Sequence, residues 1–166
     1  RSVLRSAMDS GLEPTVITFD PHPRIAMGNR VDILTTLERR LELLTEAGVA
    51  ATLVASFTPE LQRLTPDEFI ETYLVGTGAE AVAVGPDFRF GQRRSGDRDT
   101  LERAGLVVLE VEEIEGVSST AIRDAVRGAD LAGAAAMRGR PFELDGVVVT
   151  GDQRGGTLGY PTANIA

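Results

Sequence analysis

Thr15-Val16-Ile17-Thr18-Phe19, followed by Asp20-Pro21-His22-Pro23, is the stretch on which the fold reading turns. Its first five residues are β-branched or aromatic and mostly apolar, the pattern of a buried strand. The two prolines bias their predecessors away from the helical region, so Asp20-Pro21-His22-Pro23 is predicted to be an extended loop. Similar apolar runs recur at Ala51 to Ala55, at Ala81-Val82-Ala83-Val84 and at Leu106 to Val111. Helical signals separate them. Thr35-Thr36-Leu37-Glu38 reads as a capping box, Thr35 to Glu38, opening a helix that carries Leu37, Leu41 and Leu44 and stops at Gly48. Thr65-Pro66-Asp67-Glu68 reads as a second, with Pro at the first helical position of a helix through about Leu74. Asp97 to Ala104 is also predicted helical. Short strands alternating with helices argue for an α/β fold with a parallel sheet and crossover helices. Ligands of such sheets bind beyond the carboxyl ends of the strands, which directs attention to the loops after Phe19, Val84 and Val111.

The rest of the chain sets bounds. At 166 residues it can bury one good core, and 42% apolar with 25% charged residues reads as globular. A formal net charge of −8 without a Lys/Arg cluster argues against nucleic acid as a partner, while leaving a small anionic ligand open. The absence of cysteine excludes disulfides and thiolate metal sites and fits a cytoplasmic protein. No run approaches the roughly 18 apolar residues of a membrane span. The oligomeric state stays open, a homo-oligomer included. Arg1 to Ser10 already reads as the body of a helix, with Val3, Leu4, Ala7 and Met8 on one stripe and no cap, as expected of a fragment. Near the other end, helices are expected at Thr120 to Arg127 and Leu131 to Met137. Phe142, Leu144 and Gly146-Val147-Val148-Val149 then suggest a strand running into a glycine loop. This places a domain boundary near Gly139 to Pro141, with domains at 1–139 and 140–166.

Four stretches could carry chemistry. Ser118-Ser119-Thr120 stands at a helix start, where unpaired N–H groups and partial positive charge suit phosphate, and Arg123 lies on the same helical face. The same residues also read as an ordinary serine cap with a solvent-exposed arginine. Asp20 and His22 belong to the loop after the first strand, a candidate wall of the crevice. His22 is the sole histidine, and nothing nearby nominates a metal site or a triad. In Gly85-Pro86-Asp87-Phe88-Arg89-Phe90-Gly91, Phe88 and Phe90 could stack on a flat ring while Asp87 accepts ring N–H groups, or the two aromatics could simply pin the loop to the core. Gly155, Gly156 and Gly159 would let backbone N–H groups approach phosphates, and Thr162 and Asn164 would present two oxygens to a hard cation such as Mg²⁺. A glycine-rich hairpin with a polar tip is the plainer alternative. The acidic run at Glu110, Glu112, Glu113 and Glu115 reads as a solvated edge.

Taken together and in this order, these stretches resemble the bacterial bifunctional riboflavin kinase/FMN adenylyltransferases, or FAD synthetases. The matching pieces are Thr18-Phe19-Asp20-Pro21-His22-Pro23, Leu34-Thr35-Thr36, Val84 to Gly91, Val117 to Arg123 and Leu158 to Asn164. The resemblance implies an N-terminal nucleotidyltransferase domain of Rossmann-like fold that transfers AMP from ATP to FMN, giving FAD. It also implies a C-terminal β-barrel kinase domain that phosphorylates riboflavin, of which this chain carries the first strands. Ser118, Ser119, Thr120 and Arg123 match the segment that binds ATP phosphates. Asp87, Phe88 and Phe90 match the flavin-side wall, where relatives can carry Asn in place of Asp87. Gly155, Gly156 and Gly159 fall in the kinase phosphate loop, and Thr162 and Asn164 match the pair that holds Mg²⁺ and nucleotide phosphates.

Two departures accompany the match. The Gly-x-Phe-Asp-Gly-x-His-x-Gly-His loop that opens the family is not in this sequence, nor is the glutamate expected as kinase base. These 166 residues alone are therefore expected to catalyse neither reaction efficiently. Two other readings compete: a nucleotidyltransferase with a non-flavin acceptor, and a noncatalytic nucleotide- or flavin-binding module.

Overall fold

The computed structural model describes residues 2–109, 111, 114–144, 146–151, 159, 164 and 165. Contacts divide the chain into two compact units, one of Arg1–Asp32 and Leu37–Ser118, the other of Ile33–Thr36 and Ser119–Ala166.

The first unit runs α1 (Ser2–Asp9), β1 (Thr15–Asp20), α2 (Pro23–Ala26), α3 (Leu37–Glu46), β2 (Ala51–Ser56), α4 (Pro59–Arg63) and α5 (Pro66–Phe69). It continues through β3 (Ala81–Ala83), α6 (Arg98–Arg103) and β4 (Val107–Leu109). β1 pairs in parallel with β2, Thr15 opposite Ala51 through Asp20 opposite Ser56. β3 pairs in parallel with β4, Ala81 opposite Val107 through Ala83 opposite Leu109. The α/β alternation and the parallel pairing are as the strand runs predict. A single hydrogen-bonded sheet is not: among the described residues the four strands form two separate two-stranded ladders. What joins the ladders is apolar packing. Leu101 is fully buried at the centre of a cluster with Phe69, Ile70, Leu74, Phe90 and Leu106. Ile17 and Phe19 of β1, Val82 of β3 and Val108 of β4 pack against that same cluster. Residues two apart on a strand share a face, so each strand turns one row toward it.

Helix starts obey local chemistry. At α5, Glu68 N–H donates to Thr65 Oγ1 at 3.3 Å and Thr65 N–H donates back to Glu68 Oε2 at 2.8 Å, the capping box expected there. At α6, Asp97 Oδ1 accepts from Thr100 N–H at 3.1 Å and Thr100 Oγ1 accepts from Asp97 N–H at 3.3 Å. Four details depart from expectation. Pro23 does not extend the loop; it opens α2, with His22 as the cap. A first-turn proline gives up only an N–H that would be unpaired anyway, and the restriction on a residue before proline is met by His22 at φ −54°, ψ 132°. α3 starts at Leu37, so Thr36, not Thr35, precedes it. α4 was not anticipated; Thr58 caps it, accepting from Leu61 N–H at 3.3 Å. Beyond Phe69 the helix widens into a π-helical stretch, Ile70–Leu74, and then tightens to a 3₁₀ turn, Val75–Thr77, that ends at Gly78 with φ 80°. Ile70 and Leu74 are buried on the cluster while the Tyr73 ring stacks on Phe69 at 5.1 Å.

The second unit contains α7 (Ser119–Arg127), α8 (Leu131–Arg138), β5 (Val148–Val149) and β6 (Asn164–Ile165). α7 packs on α8, burying Ile122 and Ala134. Asp130 caps α8 by accepting from Gly133 N–H at 2.8 Å, and Gly139, at φ 68°, ends it in the left-handed conformation. Beyond it the Arg138 guanidinium lies 5.1 Å from the Phe142 ring centre and donates to Pro141 O at 2.9 Å, while Arg140 pairs with Glu143 at 2.6 Å. β5 and β6 are antiparallel, Val149 opposite Asn164.

Candidate functional site

The carboxyl end of β1 is the first place to look. Asp20 is exposed there, and its carbonyl accepts from Phe57 N–H at 3.1 Å, beside an edge-on contact of Phe19 with Phe57. The Asp20–Pro21 peptide is cis. His22 is half-buried, and its Nδ1 accepts from Arg24 N–H at 3.2 Å. An acceptor Nδ1 means that the neutral ring carries its proton on Nε2, which makes Nε2 a hydrogen-bond donor. The sequence reading overlooked one residue at this end. Arg40, in the first turn of α3, reaches β1 and donates through one terminal nitrogen to Thr18 Oγ1 at 2.9 Å and to Phe19 O at 3.3 Å. Thr18 alternates with the core-facing Ile17 and Phe19, which puts its hydroxyl on the α3 side of the strand.

The loop after β3 is held at both ends. Phe90 and Gly96 exchange backbone hydrogen bonds at 3.1 and 2.9 Å, and Gln92 N–H donates to Leu64 O at 2.7 Å. Gly91 has φ 70°, and a Cβ there would lie 2.8 Å from Pro66 N; one at Gly96 would lie 2.8 Å from the Phe90 ring. Between these anchors Arg93 and Arg94 are exposed, and both have left-handed backbone at φ 54° and 58°. The aromatics divide by role. Phe90 is buried against Phe69 at 5.5 Å, so its ring anchors the loop in the core. Phe88 is half-buried and stacks on Phe90 at 5.4 Å, and Asp87 is exposed beside it. Because Phe19 and Phe88 pack on one cluster, the loops after β1 and β3 rise from a common base.

Among the described residues of this unit three carboxyls have lowered pKa values, all at helix starts. For Asp97 the main cause is the Thr100 hydroxyl, then the Thr100 N–H; for Glu68 it is the Thr65 N–H, then its hydroxyl; for Glu60 it is its own backbone N–H, then Thr58. Hydrogen bonds to the ionised form produce these shifts, and their cause is capping rather than catalysis.

In the second unit Ser119 and Thr120 occupy the exposed first turn of α7, directly after the exposed Ser118. Arg123 follows four residues after Ser119, half-buried, so its side chain leans toward that turn. This is the arrangement of hydroxyls, first-turn N–H groups and a guanidinium that phosphate oxygens fit. Of the predicted kinase residues, Gly155, Gly156 and Thr162 lie outside the described residues. Gly159 sits in an exposed turn with φ 76°. Asn164, in β6, lies beside Gly151: a Cβ on Gly151 would come within 2.7 Å of its Cγ, so the Asn164 amide would have to turn aside to admit one. Among the described residues no three His, Cys, Asp or Glu side chains are grouped to hold a metal.

These features define an α/β protein with parallel strand pairs and polar loops at their carboxyl ends. The chain belongs to the FAD synthetase family: the family model described as FAD synthetase matches residues 1–123, and one described as riboflavin kinase matches residues 138–166. The bifunctional riboflavin kinase/FMN adenylyltransferase of Listeria monocytogenes is 35% identical, covering 96% of this chain and 54% of its own length. That of Escherichia coli K12 is 36% identical, covering 99% of this chain and 58% of its own length. The chain thus spans about half the length of these curated relatives. A solved structure described as a macrolide-efflux protein from Streptococcus pneumoniae superposes with TM-score 0.79 at 29% identity, covering 98% of this chain and 56% of that one.

Proposed function

We propose that the chain belongs to an enzyme of FAD biosynthesis, in which one domain adenylylates FMN and a second phosphorylates riboflavin. The observation that carries this reading is the collinear match of two flavin-enzyme family models to consecutive parts of one chain, at residues 1–123 and 138–166. In the adenylyl transfer an FMN phosphate oxygen attacks the α-phosphorus of MgATP. The bond from that phosphorus to the oxygen leading to the β-phosphate breaks, releasing pyrophosphate and forming FAD. Ser118, Ser119, Thr120 and Arg123 hold ATP phosphates, so catalysis rests on positioning and charge neutralisation rather than a covalent intermediate. Asp87 and Phe88 form the flavin-side wall with Phe90 as its anchor, and Asp20 and His22 line the opposite loop. We place the domain boundary at 139/140, with a Rossmann-like domain before it and the first strands of a β-barrel after it. In the kinase half, Gly155, Gly156 and Gly159 cradle nucleotide phosphates, and Thr162 and Asn164 supply oxygens that suit the magnesium of MgATP. The substrates are soluble and the reaction belongs in the cytoplasm.

The efflux description of the pneumococcal structure is not carried over. Both family models that match this chain name flavin enzymes, and no described helix is long and apolar enough to cross a membrane. The reading is tested by incubating the protein at its natural length with FMN and MgATP and separating the products. FAD and pyrophosphate in equal amounts are expected. Adenylylation of another acceptor with FMN untouched would refute it.

A further inference from the structure

The geometry points to Arg40 as a phosphate-binding residue at the carboxyl end of β1. Arg40 is half-buried, and both of its partners among the described residues, Thr18 Oγ1 and Phe19 O, are neutral. It makes no ion pair with any described carboxylate, whereas its neighbour Arg39 pairs with Glu42 at 2.7 Å and Glu46 at 3.2 Å. Glu42 and Glu46 of α3 thus serve the residue next door. A cation in the first turn of a helix also opposes the helix dipole, so helix stability does not account for its place.

The way it is held matters as much as its charge. Both hydrogen bonds to β1 run through one terminal nitrogen, which fixes the planar group, and among the described residues the edge made by Nε and the other terminal nitrogen has no protein partner. That edge presents two parallel N–H groups, the fork that matches two oxygens of a phosphate. It stands where the chain leaves β1 for Asp20 and His22, whose Nδ1 accepts from Arg24 N–H on the same loop. The ligand is a phosphate group carried by a substrate of the adenylyl transfer, so this assignment rests on the function proposed above. FMN and ATP both bring one, and kinetics separates them.

The test uses the protein at its natural length, with riboflavin phosphorylation in the same polypeptide as internal control. Arg40→Met keeps the length of the side chain and removes the charge. Losing a charge-assisted pair should raise KM about tenfold or more for one substrate of FAD formation, FMN or ATP. Riboflavin phosphorylation should stay unchanged. Arg40→Lys keeps the charge and loses the fork, and should fall between the two; it also serves where Arg40→Met folds poorly. Unchanged KM for both FMN and ATP in these variants, with only a lower melting temperature, would reduce Arg40 to a strap between α3 and β1 and overturn the assignment. A wild-type protein that forms no FAD would instead overturn the function. In that case retention of labelled pyrophosphate by wild type, and its loss in Arg40→Met, decides the assignment separately.

Discussion

Replacing Leu101 with alanine tests whether the two ladders are joined through one apolar core. Leu101 has 0% relative exposure and sits among Phe69, Ile70, Leu74, Phe90 and Leu106, with strand residues of β1, β3 and β4 around them. Leu→Ala removes three carbons, worth about 2.4 kcal/mol at roughly 0.8 kcal/mol per buried methylene. The space left behind adds a cavity term, because Phe69 and Phe90 are held in place by their own ring contacts at 5.5 Å and by the Phe90–Gly96 bonds. The total expected is about 3–5 kcal/mol, near the upper part of the range for buried leucines. For a chain of this size that corresponds to a fall in Tm of roughly 6–20 °C. Urea unfolding followed by far-ultraviolet circular dichroism measures it, with an unchanged denaturant slope showing that both proteins unfold to the same extent. Val107→Ala, at a side chain 60% exposed, is the control and should stay within about 0.5 kcal/mol. A loss below about 1 kcal/mol for Leu101→Ala would mean that the site collapses freely, and the shared-core account would be wrong.

Other outcomes follow from single contacts. Asp97 and Glu68 are held below their ordinary values of 3.8 and 4.5, so the unfolded chain binds more protons in acid than the folded one. Their contribution is complete above those values and disappears as pH falls through the lower folded values; Tm recorded from about pH 6 to pH 3 should drop, and less steeply in Asp97→Asn. Gly91→Ala should destabilise by about 2–4 kcal/mol, combining left-handed strain with the backbone clash at Pro66, whereas Gly28→Ala, at φ 82° with nothing within 4 Å, should cost only about 1 kcal/mol. Equal losses in the two would remove the steric part of the explanation. Arg123→Ala should depress FAD formation by about tenfold or more, and a fully active variant would remove α7 from the phosphate site.

Elements whose cause is local were legible in the residues themselves. β1 announces itself through a β-branched run and β2 through a mostly apolar one, and the Thr65–Glu68 box is spelled out over four positions. α4 escaped because five residues are too few for a hydrophobic period, although Thr58-Pro59-Glu60 carries a cap, a first-turn proline and an acid. The π-helical turn at Ile70–Leu74 escaped because Ile70 and Leu74, four apart, read as one face of an ordinary helix until tertiary packing widens it. In the loop at 85–91 the residue types suggested either a ring platform or an anchor, and burial separates them: Phe90 lies in the core and Phe88 on its outer side. Arg40 was invisible for a different reason. Its contacts are with residues 22 and 21 positions earlier, and no window along the chain brings Arg40 beside Thr18 and Phe19.

The anchored loop after β3 also bears on proteolysis. Arg93-Arg94 is an exposed dibasic sequence of the kind trypsin-like enzymes cut, yet a protease must draw several residues into an extended strand before cleaving. Here both residues are left-handed, and the segment around them is tied by Phe90 to Gly96 and by Gln92 to Leu64. Straightening it would pull the Phe90 ring out of the core. Cleavage at this site therefore waits on opening of the core itself, and its rate reports the stability of the first unit rather than the accessibility of a surface loop.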